Sequence, residues 1–154
     1  LPRVANLWEL AESRESLAGY LERIQADPHT IAMFLEIDGE DAGYFEAYWT
    51  MEDRLGPHYA ADPFDRGFHF LIGEKRFLGF DNTDAVLRTI SHFLFIDEPR
   101  TRRIMAEPRA DNTRVLRYVP TLPGWRFLHE FDFPHKRAAL LECRREVYFE
   151  ENPL

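Results

Sequence analysis

The residue of this sequence best suited to move a proton is His69. It stands in a short apolar stretch, residues 67–72, between Phe68 and Phe70. This stretch predicts a strand, in which successive side chains point to opposite faces, so the imidazole faces away from both phenylalanines. Because an imidazole changes its charge near neutral pH, His69 can act as a general base if it lines a cleft. The alternative interpretation is a partly buried histidine that bonds to a backbone carbonyl.

The other reactive residue types form no comparable pattern. The six histidines have neither the HExxH spacing nor the close Cys/His spacing of metal ligands, so we predict no metal site. The sequence also contains no GxSxG nucleophile elbow and no P-loop. Cys143 is the single cysteine and lies in a predicted strand, which favours a small core residue over a nucleophile.

Composition and charge narrow the classes of protein to which this chain can belong. Hydrophobic residues make up 45% of the sequence, enough for a single packed domain over residues 1–154. No apolar run approaches the roughly 20 residues of a membrane span, and the first residues lack the pattern of a signal peptide. A single cysteine suits a reducing compartment, so we predict a cytoplasmic protein. The net charge of −8 disfavours nucleic-acid and membrane partners and would attract a cationic substrate, although it can equally serve solubility.

Hydrophobic periodicity and turn residues indicate the elements that would position these side chains. We predict the order helix, hairpin, strand, helix, strand, helix, strand, strand. The predicted strands cover residues 31–37, 42–51, 67–72, 103–106, 125–133 and 137–145. The predicted helices cover residues 16–24, a segment capped by Asp81 or Asn82 that runs to about residue 95, and a segment capped by Asp111 or Asn112 that ends at Pro120. This order predicts an α/β (α+β) domain with a mixed, mostly antiparallel sheet.

Side-chain periodicity also predicts which residues share one face of the second strand and one face of the second helix. On the second predicted strand, one face carries Tyr44, Glu46 and Tyr48, and the other carries Phe45, Ala47 and Trp49. On the second predicted helix, the buried stripe consists of Val86, Leu87, Ile90, Phe93 and Leu94.

Five segments, in order along the chain, resemble the siderophore-biosynthesis N-acyltransferases, a family of the GNAT acetyltransferase fold that acylates hydroxylysine for aerobactin and lysine for mycobactin. The segments are YW with EDRLG within residues 48–56, RGFHFLIG at 66–73, DEPRT at 97–101, EPRADN at 107–112 and FPHKRAAL at 133–140. The resemblance extends over nearly the whole chain. Residues 1–4 are similar to a segment that follows the family's first strand and helix. The resemblance thus implies an N-terminally incomplete domain, or a neighbouring segment in place of those elements.

The resemblance implies transfer of an acyl group from acyl-CoA, either acetyl-CoA or succinyl-CoA, to an amine or hydroxylamine nitrogen without a metal. In this fold two adjacent parallel strands separate and CoA lies in the gap. Here those strands would be residues 67–72 and 103–106. The backbone of Phe70, Leu71 and Ile72 would pair with the pantetheine amides, and His69 would act on the acceptor.

Three residues after the second of these strands have both structural and functional interpretations. Asp111 can cap the following helix, or it can stand near the acceptor nitrogen and orient the amine or receive its proton. Asn112 can bond to pantetheine or serve as the cap itself. Tyr118 lies near the position of a family tyrosine that protonates the leaving thiolate, and otherwise it packs in the core.

The turn before the central helix departs from the pattern of the family. The usual pyrophosphate pattern is Gln/Arg-x-x-Gly-x-Gly/Ala, and this chain has Arg76 and Gly79 followed by Asp81. A carboxylate at Asp81 would repel a pyrophosphate at the helix N-terminus. Lys75 and Arg76 can compensate by direct charge pairing, and the alternative is a solvated turn.

The acceptor pocket implied by the resemblance would be lined by Tyr48, Trp49, Glu52 and Asp53. Carboxylates beside aromatic rings suit the cationic end of a lysine-like or cadaverine-like chain, whereas the alternative is hairpin packing and a solvated turn. The leading hypothesis is acylation of N-hydroxylysine, N-hydroxycadaverine or a similar diamine for a hydroxamate siderophore, with a siderophore synthetase as a candidate partner. The rival hypotheses are an aminoglycoside or polyamine acetyltransferase and a non-catalytic domain of a siderophore-assembly protein.

Overall fold

The computed structural model of the chain describes residues 14–153, so the similarity noted for residues 1–4 lies outside the described residues. The helices are α1 (Arg14–Ala26), α2 (Phe80–Asp97), α3 (Thr113–Tyr118) and α4 (Arg145–Glu151). The strands are β1 (Thr30–Ile37), β2 (Glu40–Trp49), β3 (Arg66–Ile72), β4 (Arg103–Ala106), β5 (Trp125–Asp132) and β6 (Arg137–Arg144). They form a mixed sheet in the order β1-β2-β3-β4-β6-β5. Within residues 14–153, no helix combines the length and the apolar composition that crossing a bilayer requires.

The described residues divide into two compact units, and β3 contributes to both. Residues 14–48 and 69–85 form the first unit, and residues 49–68 and 86–153 form the second. In the first unit, β1 and β2 pair in antiparallel register from Thr30 with Tyr48 to Ile37 with Glu40. The hairpin turns through the predicted Asp-Gly pair, whose φ angles of 53° and 78° are both positive, as its tight turn requires.

Gly43 allows β2 to approach the end of β3 within the first unit. The amide of Gly73 donates a hydrogen bond of 2.8 Å to the carbonyl of Ala42. A Cβ at position 43 would lie 1.9 Å from the carbonyl oxygen of Leu71, so no larger residue fits without a shift of the backbone. This close approach brings side chains of β2 and β3 within contact of each other.

In the second unit, the parallel pairing of β3 with β4 is short. It consists of Arg66 with Ile104 and Gly67 with Met105. Strand β3 continues to Ile72, so the part of the strand that follows Gly67 lies beyond its pairing with β4. Strand β6 pairs in antiparallel register with both β4 and β5.

The core of the second unit includes the buried side of α2 and the C-terminal helix α4. The buried residues of α2 are Val86, Leu87, Ile90, Ser91, Leu94 and Phe95. The prediction that Phe93 is buried is wrong, since this residue is 36% exposed. The stripe extends to Phe95 instead because α4, which the periodicity did not predict, packs Tyr148 and Phe149 against that ring at centroid distances of 5.6 and 5.8 Å.

The beginning of α2 also differs from the prediction. The helix begins at Phe80, so Asp81 and Asn82 lie inside its first turn and the predicted cap at either residue is wrong. The chain enters the helix directly after the 3₁₀ turn Lys75–Phe77. The Asn82 amide therefore reaches backwards and donates a hydrogen bond of 3.1 Å to the carbonyl of Phe77.

Candidate functional site

His69 is held by a buried carboxylate on the neighbouring strand of the first unit. Its Nδ1 lies 3.0 Å from Oε1 of Glu46. The side chain of Glu46 is 4% exposed and that of His69 is 29% exposed, so a buried anion supports a ring that reaches solvent. The ring of Tyr48 lies beside the imidazole, with 5.1 Å between the ring centroids.

Two tyrosine hydroxyls surround the rest of the Glu46 carboxylate. The Tyr20 hydroxyl, on α1, lies 2.7 Å from both carboxylate oxygens, and the Tyr44 hydroxyl lies 3.1 Å from Oε2. Burial raises the pKa of Glu46, but the hydrogen bonds from His69, Tyr20 and Tyr44 outweigh burial and hold the pKa below its ordinary value. Glu46 is therefore ionised at neutral pH. Burial, together with this neighbouring charge, raises the pKa of Tyr44, so its hydroxyl keeps its proton.

The charge of Glu46 determines which nitrogen of His69 carries the hydrogen. Because an ionised carboxylate can only accept hydrogen bonds, Nδ1 must be the donor in this contact. In the neutral ring the basic lone pair then belongs to Nε2. The carboxylate also stabilises the imidazolium that forms when Nε2 takes up a proton, as in other histidine–carboxylate pairs. The arrangement is suited to general-base chemistry at Nε2.

The four residues predicted to line an acceptor pocket are divided between the units. Tyr48 contacts the imidazole in the first unit. In the second unit, the ring of Trp49 packs against the guanidinium of Arg66, which lies 4.2 Å from the ring centroid. Asp53 accepts a hydrogen bond of 2.9 Å from a backbone amide in its own turn, and Glu52 is exposed. These contacts account for Trp49 and Asp53 structurally, and an acceptor role for the four residues stays a prediction.

The turn before α2, in the first unit, carries charges of both signs. The guanidinium of Arg76 pairs with the carboxylate of Glu40 and lies 4.5 Å from the centroid of the Phe77 ring. A Cβ at Gly79 would meet no atom within 4 Å, so the turn is open at that position. Asp81 adds a carboxylate to the first turn of the helix. An incoming phosphate would have to displace Glu40 from Arg76, and it would be repelled by Asp81.

Asp111 and Asn112 are neighbours in the second unit with different contacts. The Asn112 side chain accepts a hydrogen bond of 3.4 Å from the amide of Val115, which makes Asn112 the cap of α3. The Asp111 carboxylate is 70% exposed and instead accepts two hydrogen bonds of 3.0 Å from Arg109. The Arg109 guanidinium holds the pKa of Asp111 below its ordinary value. The predicted cap at Asp111 is therefore wrong, and a role for this residue at the acceptor stays a prediction.

The remaining predicted site residues lie in regular elements. Residues 70–72 form the end of β3, beyond its pairing with β4. Tyr118 ends α3 as a partly buried residue, and its carbonyl accepts a hydrogen bond of 2.6 Å from the Thr121 hydroxyl. Cys143 is buried in β6, where burial raises the pKa of its thiol, in agreement with the predicted core role.

Sequence reasoning did not identify Glu46 and Tyr20 as partners of the histidine. The alternation of β2 offered one signal for Glu46. This carboxylate lies between Tyr44 and Tyr48 on one face of the strand, so a charged residue occupies a position that packs against the next element. The hydroxyl of Tyr20 gave no local signal, since its contact with Glu46 joins residues 26 positions apart.

Comparisons with known proteins agree on the family. The acetyltransferase (GNAT) domain family matches this chain over residues 1–133. The chain is 41% identical over 150 residues to the N(6)-hydroxylysine O-acetyltransferase of Escherichia coli, covering 97% of this chain and 47% of that protein. It is 40% identical over 149 residues to a hydroxyornithine transacylase of Ajellomyces capsulatus, covering 97% of this chain and 34% of that protein. The chain thus spans half or less of the length of these relatives.

Solved structures show the same fold. An uncharacterized protein from Bacillus halodurans matches with a TM-score of 0.89 and 29% identity, over 96% of this chain and 76% of that chain. An aminoglycoside acetyltransferase in complex with coenzyme A and kanamycin matches with a TM-score of 0.82 and 21% identity, over 100% of this chain and 88% of that chain. The predicted fold class, an α/β domain with a mixed sheet, is confirmed.

Proposed function

This chain belongs to the acetyltransferase (GNAT) family, and from that premise we propose that it transfers an acyl group from acyl-CoA to the hydroxylamine nitrogen of an N-hydroxylated diamine or amino acid. N-hydroxylysine and N-hydroxycadaverine are the acceptors of the proposed class, and the product is a hydroxamate of the kind used in siderophores. The observation that carries the proposal is the hydrogen bond between Nδ1 of His69 and the buried carboxylate of Glu46.

The proposed reaction places His69 at the acceptor. The nitrogen lone pair attacks the thioester carbonyl carbon, the C–N bond forms, and the C–S bond breaks with its electron pair leaving on the thiolate. The proton of the attacking nitrogen passes to Nε2 of His69, and Glu46 stabilises the imidazolium that results. The thiolate regains a proton, for which Tyr118 is the proposed donor.

The acyl donor is proposed to lie along the end of β3. The pairing of β3 with β4 that the structure describes involves Arg66 and Gly67. The proposed contact with the pantetheine amides lies further along the strand, at the backbone of residues 70–72. Asn112 is a further candidate partner of pantetheine. The phosphates of the donor are proposed to lie at Gly79, with Lys75 and Arg76 supplying positive charge. Acetyl-CoA and succinyl-CoA are the proposed donors.

The acceptor is proposed to be an N-hydroxylated chain with a cationic end. A hydroxylamine nitrogen is less basic than an alkylamine and is largely unprotonated at neutral pH, so one histidine is a sufficient base. Tyr48 lies beside that histidine, and Trp49, Glu52 and Asp53 are proposed to receive the rest of the acceptor. The net charge of −8 would attract such a cation.

The acceptor atom needs a direct test, because the Escherichia coli relative is named an O-acetyltransferase. The test incubates the chain with acetyl-CoA or succinyl-CoA and a panel containing N6-hydroxylysine, lysine, cadaverine, N-hydroxycadaverine, spermidine and kanamycin. Thiol release reports acyl transfer, and a coloured ferric complex forms only with a hydroxamate, the product of acylation at a hydroxylamine nitrogen. We expect thiol release and ferric colour with the hydroxylamines. Thiol release without ferric colour would mean that the acyl acceptor is the hydroxylamine oxygen and not the nitrogen.

Two results of this panel would favour other functions. Faster acylation of kanamycin or spermidine than of any hydroxylamine would make the chain an amine acetyltransferase of another class. Absence of thiol release with every acceptor, together with no detectable CoA binding by calorimetry, would make it a non-catalytic domain.

We also propose that the protein works in the cytoplasm and meets a siderophore synthetase there. The buried free thiol of Cys143 suits a reducing compartment, and a hydroxamate product needs an enzyme that condenses it further. Fractionation of producing cells tests the location, and co-purification with a synthetase tests the partner. Recovery of the protein outside the cytoplasm would contradict the first proposal.

A further inference from the structure

We propose that Tyr20 of α1 is a positioning residue that adjusts the basicity of His69 through Glu46. A role for Tyr20 in catalysis rests on the proposed function, whereas its effect on the basicity of His69 depends only on the contacts of the Glu46 carboxylate. Tyr20 is not among the residues to which the resemblance assigns a role, and it belongs to helix α1, which precedes the strands.

The geometry of the Glu46 carboxylate makes the Tyr20 hydroxyl its shortest contact. The hydroxyl lies 2.7 Å from Oε1 and 2.7 Å from Oε2, whereas the Tyr44 hydroxyl lies 3.1 Å from Oε2 and Nδ1 of His69 lies 3.0 Å from Oε1. The phenol of Tyr20 therefore shares Oε1 with the imidazole. Every change at this hydroxyl acts on the oxygen that holds the ring.

The hydroxyl of Tyr20 has two physical effects on the histidine. First, it fixes the direction of a carboxylate whose side chain is 4% exposed, and thereby the direction of the ring bonded to it. Second, it takes up part of the negative charge of Glu46, because a hydrogen-bond donor stabilises the ionised form. A carboxylate that shares its charge with a phenol favours the imidazolium less than one that does not.

Burial explains why the carboxylate requires this donor. An ionised carboxylate with 4% exposure is costly unless hydrogen bonds replace its water. The bonds from His69, Tyr20 and Tyr44 together outweigh burial and hold the pKa of Glu46 below its ordinary value. Among the contacts described, Glu46 bonds to the imidazole and Tyr48 lies beside it, both from β2, whereas Tyr44 from β2 and Tyr20 from α1 contact Glu46.

The experiment measures the titration of His69 itself by NMR of ring-labelled histidine, assigned by the signal lost in His69→Gln. Tyr20→Phe removes the donor, leaves more charge on Oε1, and should raise the titration midpoint of His69 by about 0.5 pH units or more. Glu46→Gln removes the charge and should lower the midpoint. 3-Fluorotyrosine at position 20, a stronger donor of nearly equal volume, should lower it slightly, and this substitution tests the idea even if Tyr20→Phe does not fold.

The matched control is Tyr59→Phe. The Tyr59 hydroxyl donates a hydrogen bond of 3.0 Å to the buried carboxylate of Asp65 in the second unit. Like Tyr20→Phe, this variant therefore removes a tyrosine hydroxyl that donates to a buried carboxylate. It should leave the His69 midpoint unchanged. A midpoint that does not move in Tyr20→Phe, or that falls, would overturn the inference.

The proposed function is judged separately by the hydroxamate assay. If the midpoints follow the order Tyr20→Phe, wild type, Glu46→Gln while no acceptor is acylated, the proposed function fails and the role of Tyr20 stands. If acylation is found and the midpoints do not follow that order, the proposed function stands and the role of Tyr20 fails. In an active enzyme, the acidic limb of kcat/KM should shift in the same direction as the NMR midpoint.

Discussion

Nδ1 of His69 lies 3.0 Å from Oε1 of Glu46, and this contact changes the interpretation of a strand histidine. The sequence left open whether the ring bonds to a backbone carbonyl or serves as a base. A backbone carbonyl would fix the ring without adding charge. An ionised, buried carboxylate fixes the ring and also favours its protonated form, which is what a general base needs while it holds a proton.

The first prediction concerns the stability of Glu46→Gln as a function of pH. The pKa of Glu46 is lower in the fold than its ordinary value, so its stabilising contribution is present above about pH 4.5 and is lost as the pH falls through the folded pKa. At neutral pH the variant should lose about 1.5–3 kcal/mol of unfolding free energy, the range for hydrogen bonds to charged groups. Urea unfolding of both proteins between about pH 5 and about pH 3 should show the difference shrinking. A difference that is constant with pH would contradict it.

The second prediction concerns the turn before α2. Asp81→Gly should tighten CoA binding, because it removes a carboxylate from the positive end of the helix and restores the small residue of the family pattern. The expected gain is about 0.3–1 kcal/mol, or about two- to fivefold in Kd. Calorimetry measures it, with Asp81→Asn as the variant that removes the charge alone. Affinity that is unchanged or weaker in both variants would mean that the donor phosphates lie elsewhere.

Most of the fold could be predicted because its elements are set by local patterns. The Asp38-Gly39 turn, the alternation of β2 and the apolar stretch of β3 each predict an element from adjacent residues. Helix α4 could not be predicted in this way. Its sequence, REVYFEE, is mostly polar, and it is stabilised by contacts of Tyr148 and Phe149 with Phe95, some 50 residues away in the chain.

The candidate site was predictable in part for the same reason. His69 is conspicuous on an apolar strand, whereas its partners depend on pairing between elements. Glu46 reaches the ring because β2 lies beside β3, and Tyr20 reaches Glu46 because α1 lies over that strand face. The cap of α3 shows a related limit, since two adjacent polar residues are candidates for one position: Asn112 is the cap, and Asp111 is bonded to Arg109 instead.

A third prediction separates the two interpretations of Asn112. Asn112→Ala should lose about 1 kcal/mol of unfolding free energy, because the amide of Val115 loses its side-chain acceptor. Asn112→Asp should retain the cap and the stability. If Asn112 also bonds to pantetheine, Asn112→Asp should weaken CoA binding at unchanged stability. Equal CoA affinity in the wild type and Asn112→Asp would mean that Asn112 acts only as the helix cap.

The fourth prediction concerns Cys143. The thiol is buried and burial raises its pKa, so it should be both inaccessible and protonated in the native protein. A thiol reagent at neutral pH should not react with the folded chain and should modify one thiol per chain after unfolding in urea. Fast modification of the native protein would contradict the placement of this residue in the core.

The central claim, that His69 supported by Glu46 is the base for acyl transfer, is tested most directly by kcat/KM for N6-hydroxylysine with acetyl-CoA in three variants. His69→Ala and His69→Gln should lower it by about 10²–10⁴-fold, the usual contribution of a general base. The glutamine amide can still donate to Glu46, so His69→Gln should keep more of the wild-type stability than His69→Ala, and the exposed control His29→Ala should keep wild-type kinetics. Wild-type kcat/KM in a folded His69→Gln protein would contradict the claim.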